Sequence, residues 1–203
     1  KAGAIKGATG PVMTKADENF LRAACAAHHA TGVPIITHTD LGQGGPEQQA
    51  LFASEGVEPH RCLIGHCCGN ADTHYHQKIV RGGNYIGFDR IGIVAFQPDE
   101  VRADNLIALV EKGFEEYILM SQDRVSTLRG FRPANAAMAA MIKEMTARGE
   151  WPMPFTHLFT SFLPLLRSKG LPAETIERIL TDNPRRFFSG AAPRQKTADQ
   201  AAA

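Results

Sequence analysis

The sequence predicts an α/β protein built as a (β/α)8 TIM barrel, of which this chain supplies roughly the last five βα units. Three observations lead there. Short apolar runs bounded by turn residues recur along the 203 residues, each followed by helical periodicity, which marks buried parallel strands in repeated βα units. Each run ends on a polar or charged residue, at the rim where such folds keep their chemistry. Finally, a complete barrel takes about 250 residues, so the chain is short by about three units. It opens abruptly on a strand with no initiator methionine, and the expectation is the later portion of something longer. An open doubly wound sheet ranks lower, because no glycine-rich phosphate loop follows the first strand.

The elements follow in order. Residues 2–7 read as the first strand. Thr14 is placed as the N-cap of a helix with Asp17 and Glu18 in its first turn, and Gly32 stops it. Strand 35–38 leads through a glycine-rich loop to Pro46, suited to the first turn of a helix that runs toward Gly56. Strand 62–65, a helix over 72–81 closed by Gly82-Gly83, strand 85–88, and a helix from Pro98 to a Gly113 cap come next. Strand 117–121 precedes a long irregular region, 124–154, with a helix over 134–148. Two further helices, 156–169 and 172–181, carry clear apolar faces. Residues 1–193 form the barrel domain and 194–203 a polar, alanine-rich flexible tail.

Composition closes off several functions. Lys and Arg number 22 against 21 Asp and Glu, without a basic stripe, so no nucleic-acid partner is expected. No apolar run approaches the roughly 20 residues of a membrane span, and no signal peptide is present, so the expected location is cytoplasmic. Of the four cysteines, Cys62, Cys67 and Cys68 crowd one strand end and Cys25 lies in a helical pattern. That is poor material for a disulfide framework or a structural zinc site, and buried thiols are expected.

Chemistry is concentrated in the strand-end set Lys6, His38, His66 and Asp123, with Asp89 beside them. Two imidazoles and a carboxylate from separate strands, brought to one rim, suit zinc or another borderline divalent cation. Any one histidine at a strand end is more often structural; the fold is what makes the set informative. Lys6 is a salt-bridge donor on its plain reading. A buried amine of depressed pKa can instead react with carbon dioxide, and the carbamate is an anionic ligand able to bridge two metals.

The run from Ala2-Gly3-Ala4-Ile5-Lys6 through Thr31-Gly32-Val33-Pro34-Ile35-Ile36-Thr37-His38-Thr39, Glu47-Gln48-Gln49, Glu55-Gly56-Val57, Ile64-Gly65-His66, Gly87-Phe88-Asp89-Arg90, Ser121-Gln122-Asp123 and Asn183-Pro184-Arg185-Arg186-Phe187-Phe188 resembles the later portion of the phosphotriesterase family, within the amidohydrolase superfamily. The resemblance implies a metal-dependent hydrolase acting on small-molecule esters, lactones or phosphotriesters, and a homodimer by analogy with relatives. It further implies two divalent ions, zinc first among them, bridged by carboxylated Lys6 and a hydroxide. His38 and His66 would hold one ion and Asp123 the other; the hydroxide would attack, and Asp123 would take up the proton. Arg90, beside Asp89, resembles the lactonase-like branch, where an arginine lies near the substrate mouth, whereas paraoxon-degrading members have histidine there. A plain salt bridge to Asp89 or a loop carboxylate is the other reading of Arg90. Phosphotriesterase activity proper is the alternative function, and a catalytically silent barrel or binding module is a third.

One departure from the family pattern, the lack of its His-x-His pair, supports that third reading, and a second bears on a proton relay beyond Asp123. The family's first strand carries a His-x-His pair, whereas His74 and His76 here fall on a helix, and Gly69 stands where many members have an acidic residue. Elsewhere, His28 and His29 suit a helix C-terminus, and His157 either faces the pocket or serves in capping or packing. Trp151, Pro152 and Pro154 belong to a loop expected to overhang the active face.

Overall fold

The computed structural model describes residues 2–124, 133 and 135–194. Five parallel strands, β1 (Ile5–Lys6), β2 (Ile35–Ile36), β3 (Cys62–Ile64), β4 (Tyr85–Phe88) and β5 (Ile118–Met120), pair in sequence order, β1-β2-β3-β4-β5. Among the described residues, no strand is inserted out of order. That is how a barrel winds, and it lacks the reversal of order that defines a doubly wound sheet.

The paired segments are shorter than the apolar runs, yet hydrogen bonding continues to the rim. Thr37 N–H donates to Leu63 O at 2.9 Å, His38 N–H to Gly7 O at 3.0 Å and Thr39 N–H to Gly65 O at 3.3 Å. The alternation between neighbours is that of a parallel ladder, and it fixes the backbone on either side of His38.

Side chains alternate across the sheet. Ile35, Cys62, Ile64, Ile86, Phe88 and Ile118 enter the main core beneath the helices. Leu63, Tyr85 and Leu119 form a second cluster with Phe187 and Ile36 on the opposite, inner face. Each fully buried Leu, Ile or Phe contributes roughly 1.5–3 kcal/mol, so the two-sided burial explains why the strands read as continuous apolar runs.

Four helices follow the first four strands: α1 (Lys15–Thr31), α2 (Gly45–Ser54), α3 (Thr73–Arg81) and α4 (Asp99–Glu111). Thr14 and Asp17 form a reciprocal capping box at the start of α1, and Gly32, at φ 71°, closes it. Helix α5 (Ala136–Ala147) lies within the long segment after β5. The four cysteines are free and buried. Among the described residues, no helix is long and apolar enough to cross a membrane.

The chain's last helices correct the expected boundary at residue 181. Helical backbone continues from α7 (Ala173–Glu177) through a turn at Arg178–Asp182 into α8 (Asn183–Ser189). Pro184 lacks the N–H a regular helix would use. The chain adapts with an i→i−5 bond one residue earlier, from Asn183 N–H to Arg178 O. Before Pro164 the same device appears, from Leu163 N–H to Leu158 O, in the turn Leu158–Phe162 that leads into α6 (Leu163–Ser168). Such π turns let a proline ride within a helix. The expected tail is described only through Arg194; residues 195–203 lie outside the described residues.

Candidate active site

The strand-end residues meet where expected, at the C-terminal rim. The rings of His38 and His66 stand edge to face with centroids 4.7 Å apart. His66 Nε2 lies 3.9 Å from Asp123 Oδ2. Lys6 Nζ donates to Thr37 O at 3.1 Å. Three of the four therefore form a continuous contact chain, with Lys6 anchored one residue from His38.

Asp89, noted in the sequence without a role, orients His66. Its Oδ1 accepts the His66 backbone N–H at 2.8 Å and lies 3.0 Å from Nδ1. A carboxylate only accepts, so Nδ1 donates to it, and Nε2 is the nitrogen turned toward Asp123. The sequence signal was the alternation Tyr85-Ile86-Gly87-Phe88-Asp89, which carries Asp89 to the inner face. Room for it comes from two glycines: a Cβ on Gly87 would lie 2.5 Å from Asp89 Oδ2, and one on Gly65 would lie 3.1 Å from that oxygen and 2.2 Å from Thr37 O.

Backbone strain marks the same positions. His66 has φ 62° and Asp123 φ 47°, left-handed values that side chains seldom adopt and that cost on the order of 1–3 kcal/mol each. Gln48, fully buried on α2, braces the other histidine, its amide donating to Thr9 Oγ1 at 2.8 Å and to His38 O at 2.9 Å.

The electrostatics favour a neutral His38. Burial pushes the His38 pKa down to about 4, assisted by His66, Arg90 and Lys6 and opposed by Asp40. One ring nitrogen of His38 therefore keeps a lone pair free for a cation at neutral pH. Desolvation likewise lowers the Lys6 amine below the ordinary lysine value, with Asp89 and Asp123 pulling the other way. The burial expected of Lys6 is met only in part: surrounding protein desolvates the amine, but the side chain is exposed on the open inner face of the sheet.

Arg90 is buried, and its Nε donates to Asp123 Oδ2 at 3.1 Å while the guanidinium stands 4.7 Å over the Phe96 ring. The ion pair is thus with Asp123, not Asp89. Two hollows divide the set. One, of about 500 Å³, is lined by Thr9, His38, Asp40, Arg90, Phe96 and Met138 among others; the second, of about 330 Å³, by Lys6, His66, Asp89, Ser121, Asp123 and Phe188 among others. The imidazole pair and the Arg90–Asp123 bond join them.

His74 and His76 lie on α3, remote in role: His74 is exposed, and fully buried His76 bonds Cys67 O at 2.9 Å. His28 Nδ1 bonds Val33 O at 2.7 Å and His29 Nε2 bonds Glu55 O at 2.9 Å, both structural. Among the described residues, no three His, Cys, Asp or Glu side chains are set in ready-made ligand geometry. The donor chemistry of His38, His66 and Asp123 nevertheless suits one borderline divalent ion, and it serves a second less completely.

Comparison with known proteins places this geometry. Residues 1–188 match the sequence pattern of the Phosphotriesterase family. The chain is 34% identical over 192 residues to a phosphotriesterase homology protein of Mycobacterium tuberculosis, covering 93% of this chain and 55% of that protein. It is 35% identical over 191 residues to an aryldialkylphosphatase of Saccharolobus solfataricus, covering 93% and 58%. A solved variant of a phosphotriesterase-like lactonase from Deinococcus radiodurans superposes with TM-score 0.80 at 36% identity, covering 93% of this chain and 57% of that one. The chain thus spans just over half the length of the relatives it matches, and its parallel sheet is part of a (β/α)8 barrel. With the match running from before Lys6 to beyond Phe187, the chain belongs to the phosphotriesterase family.

Proposed function

We propose that this chain carries the catalytic rim of a metal-dependent hydrolase that opens carboxylic esters or lactones, with phosphotriesters as a second substrate class. The observation that carries the reading is the convergence of His38, His66 and Asp123 from three strand ends, on backbone strained at two of them. Family membership and likeness to a lactonase support it.

In this reading His38 and His66 would hold one divalent ion, Asp123 would help hold a second, and Lys6, once carboxylated, would supply a further anionic ligand. When bound, the ions would polarise the scissile carbonyl or phosphoryl oxygen and acidify water. The chain's own residues do the rest. Asp89 keeps Nε2 of His66 turned toward Asp123. Asp123 is exposed enough to receive the proton that leaves attacking water. Arg90, held over Phe96, offers a fixed positive charge to oxygen that gains charge as the ester bond breaks.

The test is a parallel assay of lactones and aryl dialkyl phosphates with added zinc or cobalt. The expected result is the higher kcat/KM on lactones. Higher efficiency on the phosphates would overturn that ordering and favour a phosphotriesterase proper, a reading supported by the likeness to an aryldialkylphosphatase. Turnover of neither class would favour a silent barrel.

A further inference from the structure

Asp99 and Arg102, both buried, form with the part-buried His157 a polar cluster that the proposed reaction does not use. Asp99, the first residue of α4, accepts through Oδ1 from Arg102 NH1 at 2.7 Å and from Gly92 N–H at 3.0 Å. Its Oδ2 accepts from His157 Nε2 at 2.7 Å, across 58 residues of chain. Arg102 is fully buried, and its NH2 donates to Ile93 O at 2.9 Å. Four hydrogen bonds thus close around the short segment that joins β4 to α4.

That segment, residues 91–97, contributes Phe96 to the wall of the larger hollow. Gly92 sits at φ +87°, and a Cβ there would lie 2.6 Å from His157 Cδ2, so the imidazole rests directly on its backbone. Ile93 packs with Met145 and Met153, and Phe96, Met141 and Trp151 close around them, which seats α5 on the segment. Phe96 in turn underlies the Arg90 guanidinium. Arg90, Phe96 and Met141 share the hollow of about 500 Å³ with His38.

We propose that His157 is a positioning residue for the substrate: through Asp99 it fixes segment 91–97, and thereby sets Arg90, Phe96 and α5 against the cavity. The inference rests on reading that cavity as the substrate site of the hydrolase. A hydrogen bond to a carboxylate is among the stronger kinds in a protein. Asp99 keeps the Arg102 and Gly92 bonds without it, so losing His157 loosens the segment without unfolding the barrel.

The test compares His157→Phe, which keeps a ring over Gly92 but donates nothing, with His157→Gln, which keeps a donor. Hydrogen–deuterium exchange over residues 91–97 requires no turnover; KM and kcat are measured on a lactone. For H157F the expected result is roughly tenfold faster exchange in the segment and roughly tenfold higher KM, with kcat within about twofold of wild type. H157Q is expected near wild type on both. Where H157F does not fold, His157→Ala takes its place with the same expectations. Unchanged exchange in the donor-less variant, a loss confined to kcat, or H157Q as impaired as H157F would each overturn the proposal. A wild type inactive on every ester class would sink the hydrolase reading, while exchange alone would still decide whether His157 holds the segment.

Discussion

Asp89 sets which nitrogen of His66 faces Asp123, because one carboxylate oxygen is bonded to both the backbone N–H and Nδ1 of that histidine. Asp89→Asn keeps a neutral acceptor but removes the carboxylate charge that orients the ring. Divalent-ion affinity is expected to fall about 10- to 100-fold, read by competition with a chromogenic chelator; an unchanged affinity would mean that His66 is not a ligand. His76 gives a pH dependence independent of the site. Burial is the largest influence on it and lowers its pKa below 6.5, despite its bond to Cys67 O. The unfolded chain therefore takes up a proton at a higher pH than the native one, so stability is complete above about pH 6.5 and declines as the pH falls below it. His76→Phe, beside the Phe88 ring, is expected to lose less stability than wild type between about pH 7 and pH 5 in urea unfolding. Equal losses would contradict the assignment.

At the scale of elements, local chemistry was legible wherever a few neighbouring residues decide the outcome. Thr14, Asp17 and Gly32 delimit α1 as the sequence indicates, and Thr14→Ala is expected to cost about 1 kcal/mol in chemical denaturation. The end of the chain was not legible in the same way. The expected helix ended at residue 181, but the backbone stays helical through Pro184, with Asn183 anchored from a distance, its amide donating to Glu115 O at 2.7 Å and Ile118 O at 2.8 Å. Asn183→Ala leaves two buried carbonyls without that donor, and a loss of about 2–3 kcal/mol is expected by urea unfolding. A change below about 0.5 kcal/mol would show that the anchor contributes little. The His157–Asp99 bond was illegible for the same reason: nothing near either residue announces a partner 58 positions away. Lys6, His38, His66 and Asp123 were legible despite comparable separations, because parallel strand ends converge by topology alone.

For the whole molecule, the sheet order β1 to β5 carries Lys6, His38, His66, Asp89 and Asp123 to one rim. Burial of His38 keeps its ring neutral at neutral pH, with one nitrogen unprotonated, and Arg90 balances Asp123. What the sequence did not disclose was this balance of charges, since it depends on side-chain approach and not on strand order. The most direct test is the divalent-metal content of protein purified with zinc and bicarbonate, wild type against a His38→Asn, His66→Asn double variant. The predicted result is at least about one ion per wild-type chain, with most of it lost from the double variant while the fold persists by circular dichroism. A wild type holding well under one ion, or a double variant that keeps its full complement, would contradict a metal site built by these strand ends.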